Sequence, residues 1–251
     1  MTASSHDRFF EAQDRVITES EHSGGIGTLS EKSLHKILKY YVEPDSAYHE
    51  IEISGSVADI KNGQGIVEIQ TRALDRLVPK LKKFLPEYPV TVVYPVITEK
   101  TLVWLDGESG EVSEVRKSPK HAYPTDILYE LLQLTPYFGD GRLTVRLLLL
   151  SATDYKNLDG YGKDRKKHAT RIDRLPTALL GELTIATRRD VAALLSDKLP
   201  TEFTAAELDR ITHLRGRRAY AALKCLLSLG IAERIGNRGR AYLYSFDPTA
   251  E

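Results

Sequence analysis

The spacing of apolar and polar positions changes along this chain, and each spacing identifies an element. Leu34, Ile37, Leu38 and Tyr41 recur at helical intervals and predict a helix over 30–41. Thr28 with Glu31 reads as a capping box at its start, and Pro44 with Asp45 stops it. Residues 48–53 alternate instead: Ile51 and Ile53 face one way, Glu50 and Glu52 the other, as in a half-buried strand. Two further strands, 56–61 and 65–71, flank Asn62-Gly63-Gln64, which is hairpin turn chemistry. Leu74, Leu77, Leu81 and Phe84 then mark a helix over 73–85, ended by Pro86 and Pro89. Residues 90–96 are almost unbroken apolar, the pattern of a strand buried on both faces. A hairpin over 101–105 and 111–115, a helix over 125–134 and a strong strand over 143–150 complete an α/β layer.

Near residue 186 the texture changes. Helical segments follow at 187–195, 204–212 and 217–229, with Thr204 and Glu207 as a further capping box and Gly230 as a C-terminal stop. A hairpin over 231–235 and 240–246 surrounds Gly236-Asn237-Arg238-Gly239. Three helices followed by a hairpin resemble winged-helix DNA-binding domains in element order. At the other end, residues 1–27 carry scattered charge and finish in a glycine-rich run; Phe9, Phe10 and Val16 can dock, and the segment reads as flexible or loosely docked. The expected organisation is therefore 1–27, an α/β domain over 28–185, and a smaller domain over 186–251.

Composition narrows the function classes. Thirty-five basic and 35 acidic residues give net zero, so any nucleic-acid-binding surface must be local. The single cysteine, Cys225, excludes a disulfide framework and a cysteine-rich zinc site, and its leucine neighbours place it in a core. No apolar run approaches the roughly 20 residues of a bilayer span, and the N-terminus lacks a signal-peptide pattern. The expectation is a cytoplasmic protein that does not engage membranes.

The most informative segment is the hairpin. A turn centred between Gly63 and Gln64 puts Asp59 directly across from Glu68, with Gln70 on the same face. Ala58, Ile60, Val67 and Ile69 fall on the opposite, wholly apolar face. Two opposed carboxylates destabilise a sheet unless something offsets them. A divalent cation would do so, since Mg²⁺ binds through few protein carboxylates and keeps waters. Lys61 or a neighbouring arginine would do so equally. The order helix, three strands with Asp on the second and Glu-x-Gln on the third, helix, strand is similar to the core of the PD-(D/E)XK nuclease superfamily, over roughly residues 28–97. The resemblance implies a restriction-endonuclease-like mixed sheet flanked by helices, with Mg²⁺ or Mn²⁺ between Asp59 and Glu68. Gln70 replaces the family's usual lysine, and Glu31 matches the position of a helix-borne glutamate near the metal. Glu31 is explained equally by its capping box. His35, one turn further on, and His49 with Glu50 on the first strand are weaker candidates.

Two segments carry local positive charge. Residues 161–174 hold six basic residues, Lys163, Arg165 and Lys166 among them, against two acidic ones. Residues 202–240 hold eight against four, with Arg215, Arg217 and Arg218 opening the third helix and Arg238 and Arg240 in the wing. Together these features predict a metal-dependent DNA endonuclease, a two-fold dimer if it cuts both strands. The alternatives are an inactive nuclease-like DNA-binding regulator and a protein-interaction module.

Overall fold

The computed structural model describes residues 4–22, 32–107, 109–160 and 169–249. The chain is mixed α/β. A seven-stranded sheet runs β1 (His49–Ile53), β2 (Ser56–Asn62), β3 (Gly65–Ile69), β4 (Val90–Asp106), β6 (Leu143–Leu158) and β7 (Thr170–Ile185), with β5 (Val112–Lys117) paired to the far half of β4. Strands β1 to β3 are an antiparallel meander. Strands β3, β4 and β6 are mutually parallel, and β7 returns antiparallel. The two parallel steps need crossovers, supplied by α3 (Val78–Phe84) and by α4 (Ile127–Leu131).

Helices cover both faces of the sheet. On one side Leu74, Leu77, Leu81 and Phe84, with Ile127, Leu128 and Leu131, pack on Val90, Val92, Val145 and Leu147. On the other, α1 (Ser5–His22) and α2 (Ser33–Val42) pack Phe9, Val16, Ile37, Leu38 and Tyr41 on Ile60, Val67, Ile69, Val93 and Leu148. Every residue of β3 is buried, as expected for a strand covered twice. At its start Gly65 has φ +130°, and a Cβ there would stand 2.4 Å from the Pro89 carbonyl oxygen, so only glycine permits β3 to enter beside β4.

The expectation of a loose N-terminal segment is corrected. Residues 5–22 form one helix, and Phe9, Ala12 and Val16, at i, i+3 and i+7, are its buried stripe. The helix predicted over 30–41 begins at Ser33 with an extended Lys32 before it. The Thr28–Glu31 capping box falls outside the described residues. Two predicted strands, 90–96 and 101–105, are one 17-residue strand bent by a bulge between Ile97 and Glu99. Strand β7 was not predicted, and β6 runs on past residue 150 to meet it.

The C-terminal unit comprises α5 (Arg188–Ala193), β8 (Glu202–Thr204), α6 (Ala205–Thr212), α7 (Arg217–Ser228), β9 (Ala232–Arg238) and β10 (Ala241–Phe246), with sheet order β8-β10-β9. The predicted capping box holds: Glu207 accepts the Thr204 N–H at 2.7 Å. This unit has no separate core. Ala219, Ala222, Cys225 and Leu226 join the same buried cluster as Ile127, Leu128 and Leu131, so α7 is fixed against α4. Burial pushes the Cys225 thiol up to about 12, consistent with a core role. Among the described residues no helix is long and apolar enough to cross a membrane.

Candidate active site

The β2–β3 pairing is the predicted one, with Ile60 opposite Val67, Lys61 opposite Ile66 and Asn62 opposite Gly65. Continued by one residue, that register sets Asp59 across from Glu68. The ladder stops there. Asp59 Oδ2 instead accepts the Ile69 N–H at 2.7 Å, so a side chain replaces the backbone acceptor where the strands part. The single apolar face expected for Ala58, Ile60, Val67 and Ile69 is corrected at one position. Ala58 belongs to the cluster under α3, whereas the other three lie under α2. Strict alternation would keep Ala58 with Ile60, yet the two side chains join different buried clusters.

Each carboxylate meets a basic side chain from a different helix. His35 of α2 places Nε2 3.3 Å from Asp59 Oδ2, and Lys80 of α3 places Nζ 2.7 Å from Glu68 Oε2. Glu68 is only 2% exposed, and its second oxygen, Oε1, is buried without a hydrogen-bond partner among the described residues. An unpaired buried carboxylate oxygen is costly. Burial first, and then the charge of Asp59, push Glu68 up to about 7 despite Lys80. Burial also works against ionisation of Asp59. There the His35 contact, the Ile69 N–H and Lys80 outweigh it and hold Asp59 below the usual carboxylate range. The pair therefore shares its burden unevenly: an ionised aspartate beside a glutamate poised near neutrality.

Gln70 does not face the pair with a free amide. Its Nε2 donates to the carbonyls of Arg72 (2.6 Å) and Ala73 (3.1 Å). Ala73 is left-handed at φ 57°, and Glu130 of α4 accepts the N–H groups of Ala73 and Leu74 at 3.3 and 2.9 Å. These contacts stabilise a turn that otherwise carries about 1–3 kcal/mol of strain. The turn presents Thr71 and Arg72 to an adjoining cleft.

That cleft, of about 640 Å³, is lined by Lys32, His35, Glu50, Arg72, Arg171 and Arg174 among others. His35 both lines it and contacts Asp59, so the carboxylates lie behind its wall. Glu50 reaches the cleft, as its place on β1 suggested, but is paired with Lys39 at 2.9 Å. His49 turns away to the Glu43 carbonyl and the Tyr40 ring.

Residues 32–186 match the family model described as "Domain of unknown function (DUF8091)". An uncharacterized protein of Treponema pallidum (strain Nichols) is 32% identical over 227 residues, which is 90% of this chain and 89% of that one. The chain belongs to the DUF8091 family. No solved structure matches it. The DUF8091 segment holds Asp59, Glu68, Gln70, Lys80 and the arginines of the cleft, and stops where the C-terminal unit begins.

Outside the DUF8091 segment, Arg215, Arg217 and Arg218 are exposed at the start of α7. Arg217, Tyr220 and Lys224 form its solvent stripe, at i, i+3 and i+7, while Arg218 turns back over the Tyr129 ring at 4.8 Å. In the hairpin Arg240 is exposed, and Arg238 is held by Glu207 at 3.3 Å and Glu202 at 3.7 Å. Lys163, Arg165 and Lys166 lie outside the described residues, as does Glu31. Among the described residues no group of three or more His, Cys, Asp or Glu side chains is arranged so that it could hold a metal ion.

Sequence reading missed Lys80, Arg72, Arg171 and Arg174 as site residues. Lys80 stands 12 residues after Glu68 and flanks the Leu77–Leu81 stripe, the available hint of its direction. Arg171 and Arg174 close the basic run over 161–174 in the sequence and belong to β7 in the structure, a strand that the run conceals.

Proposed function

We propose that this protein is a metal-dependent nuclease of the PD-(D/E)XK kind, acting on DNA, with a C-terminal winged helix. The observation that carries the reading is the unpartnered Oε1 of Glu68 beside the ionised Asp59, at the point where β2 and β3 part. A divalent cation fits this donor set: two carboxylates from adjacent strands, one with a buried oxygen that has no hydrogen-bond partner within 3.5 Å among the described residues. When bound, Mg²⁺ or Mn²⁺ would supply Lewis-acid polarisation of the scissile phosphodiester. Lys80 holds Glu68 Oε2 and brings positive charge toward the reacting phosphate, the part that a lysine at position 70 would have played. His35 holds Asp59 and can accept or release a proton at Nε2. Gln70 positions Arg72 at the cleft. The C-terminal element order and the β8-β10-β9 sheet support the winged-helix reading, and Arg215, Arg217 and Arg240 would meet phosphates. A single buried thiol suits a cytoplasmic setting, and duplex cutting would pair two copies.

One observation favours the second reading, an inactive nuclease-like DNA-binding protein: His35 and Lys80 already answer one oxygen of each carboxylate. Cleavage of circular and linear DNA with Mg²⁺ or Mn²⁺ separates the two. The nuclease reading expects cutting by the native protein that is lost in Asp59→Asn and Glu68→Gln. DNA binding without cutting in all three establishes the second.

A further inference from the structure

A second cavity, of about 280 Å³, is lined by Tyr94, Lys120, His121, Tyr129 and Arg218 among others. It shares Thr71 and Arg174 with the 640 Å³ cleft, so the two abut. The joined groove runs from Lys32 and Arg171, past the His35 that touches Asp59, across the Gln70-held turn, to Arg218 on α7. We infer that this groove carries one unpaired nucleic-acid strand from the α7 end to the His35 wall behind which the carboxylate pair lies. This rests on the nucleic-acid part of the proposed function and adds the form of the substrate.

The charge on the walls favours a polyanion. Glu50 is neutralised by Lys39, and Arg174 is engaged by Asp154 at 2.5 and 2.9 Å. Asp126, the carboxylate on the second cavity, accepts the Tyr123 N–H and lies near Arg218. Lys32, Arg72, Arg171 and Lys120 have no acidic partner within ion-pair reach among the described residues. Burial first, and then Arg174 and Arg72, disfavour the charge of Arg171, against Asp154 and Asp173, which favour it. Such like-charge crowding is relieved by successive phosphates. The size of the groove favours a single strand. Each cavity has at most the volume of a small-ligand site, enough for a nucleotide or two and too small to enclose a duplex. Tyr94 and Tyr129 add ring surface, and unpaired bases stack on such surfaces without regard to sequence.

The test is fluorescence anisotropy of the full chain with a labelled oligothymidylate and with a blunt hairpin duplex, in EDTA, over a series of salt concentrations. The native protein should bind the single strand at least about tenfold more tightly than the duplex. Arg72→Ala, Arg171→Ala and Lys120→Ala sit on exposed side chains and should fold normally by circular dichroism. Each should weaken single-strand binding and lower its salt slope by about 0.7. Equal or tighter duplex binding, or variants that bind the single strand as the native protein does, would overturn the inference. The binding assay contains no metal and is therefore independent of cutting: single-strand binding here, with no cleavage in the Mg²⁺ or Mn²⁺ assay, would sink the nuclease reading alone. Cleavage with unaffected strand binding in the variants would sink this inference alone.

Discussion

Two acidic sites are buried in the same sheet, and they are built to opposite ends. On β6, Asp154 receives Arg174 through both oxygens and has Lys100 at 3.8 Å. Burial opposes its charge, but these partners outweigh burial and hold it below the usual range. On β3, Glu68 receives one lysine on one oxygen, faces a second carboxylate and is pushed up to about 7. Fully answered charge makes structure, whereas half-answered charge leaves capacity to take up a proton or a cation. This difference distinguishes the candidate site from an ordinary ion-pair network.

The contrast can be attacked from either end. Arg174→Met should have the largest effect, because it strands a buried aspartate: a loss of about 3 kcal/mol or more in denaturant unfolding at pH 7. If stability barely changes, Asp154 is not the structural site described here. Glu68 should instead reveal itself through pH. Its folded pKa is raised from about 4.5 to about 7, so the folded state holds the proton more tightly. Its contribution is greatest below pH 4.5 and is lost as pH rises through 7, a fall of about 3 kcal/mol. Unfolding of Glu68→Gln across that range should lack this component, and an unchanged slope would break the assignment. Lys80→Met should cost only about 1 kcal/mol, since Glu68 can neutralise itself by holding its proton. The same variant should lose metal-dependent cleavage; normal cleavage would remove Lys80 from the site. Arg217→Ala and Arg240→Ala should leave stability within about 0.5 kcal/mol. Each should weaken DNA binding roughly uniformly across sequences, with a salt slope smaller by about 1; unaltered binding by both would take the C-terminal unit out of DNA contact.

The hairpin register is legible because turn chemistry and alternation agree at Asn62-Gly63-Gln64, and that register places Asp59 and Glu68 together. The partners of the carboxylates were not legible. Lys80 meets Glu68 only because β3, the Gln70-held turn and α3 fold back on one another, a contact with no local signature. Strand β7 escaped because bulges at Leu149/Leu150, Ser151/Ala152 and Tyr155/Lys156 slip its pairing with β6 and break the two-residue period. In β4 the polar run Thr98-Glu99-Lys100 at a bulge looked like a strand end. Helix α1 shows its stripe in Phe9, Ala12 and Val16, but Phe10 is exposed beside it and the flanking charge hid a docked helix as a leader. The C-terminal elements were legible from caps and glycines, whereas their shared core with α4 depends on tertiary packing alone.

The central claim is that the Asp59–Glu68 pair accepts a divalent cation. Calorimetric titration of Mn²⁺ into the native protein, Asp59→Asn and Glu68→Gln, at pH 6 and pH 8, tests it most directly. The account predicts saturable binding by the native protein, tighter at pH 8 because the Glu68 proton must leave, and its loss in both variants. Equal binding by all three proteins, or none by the native protein at either pH, would contradict it.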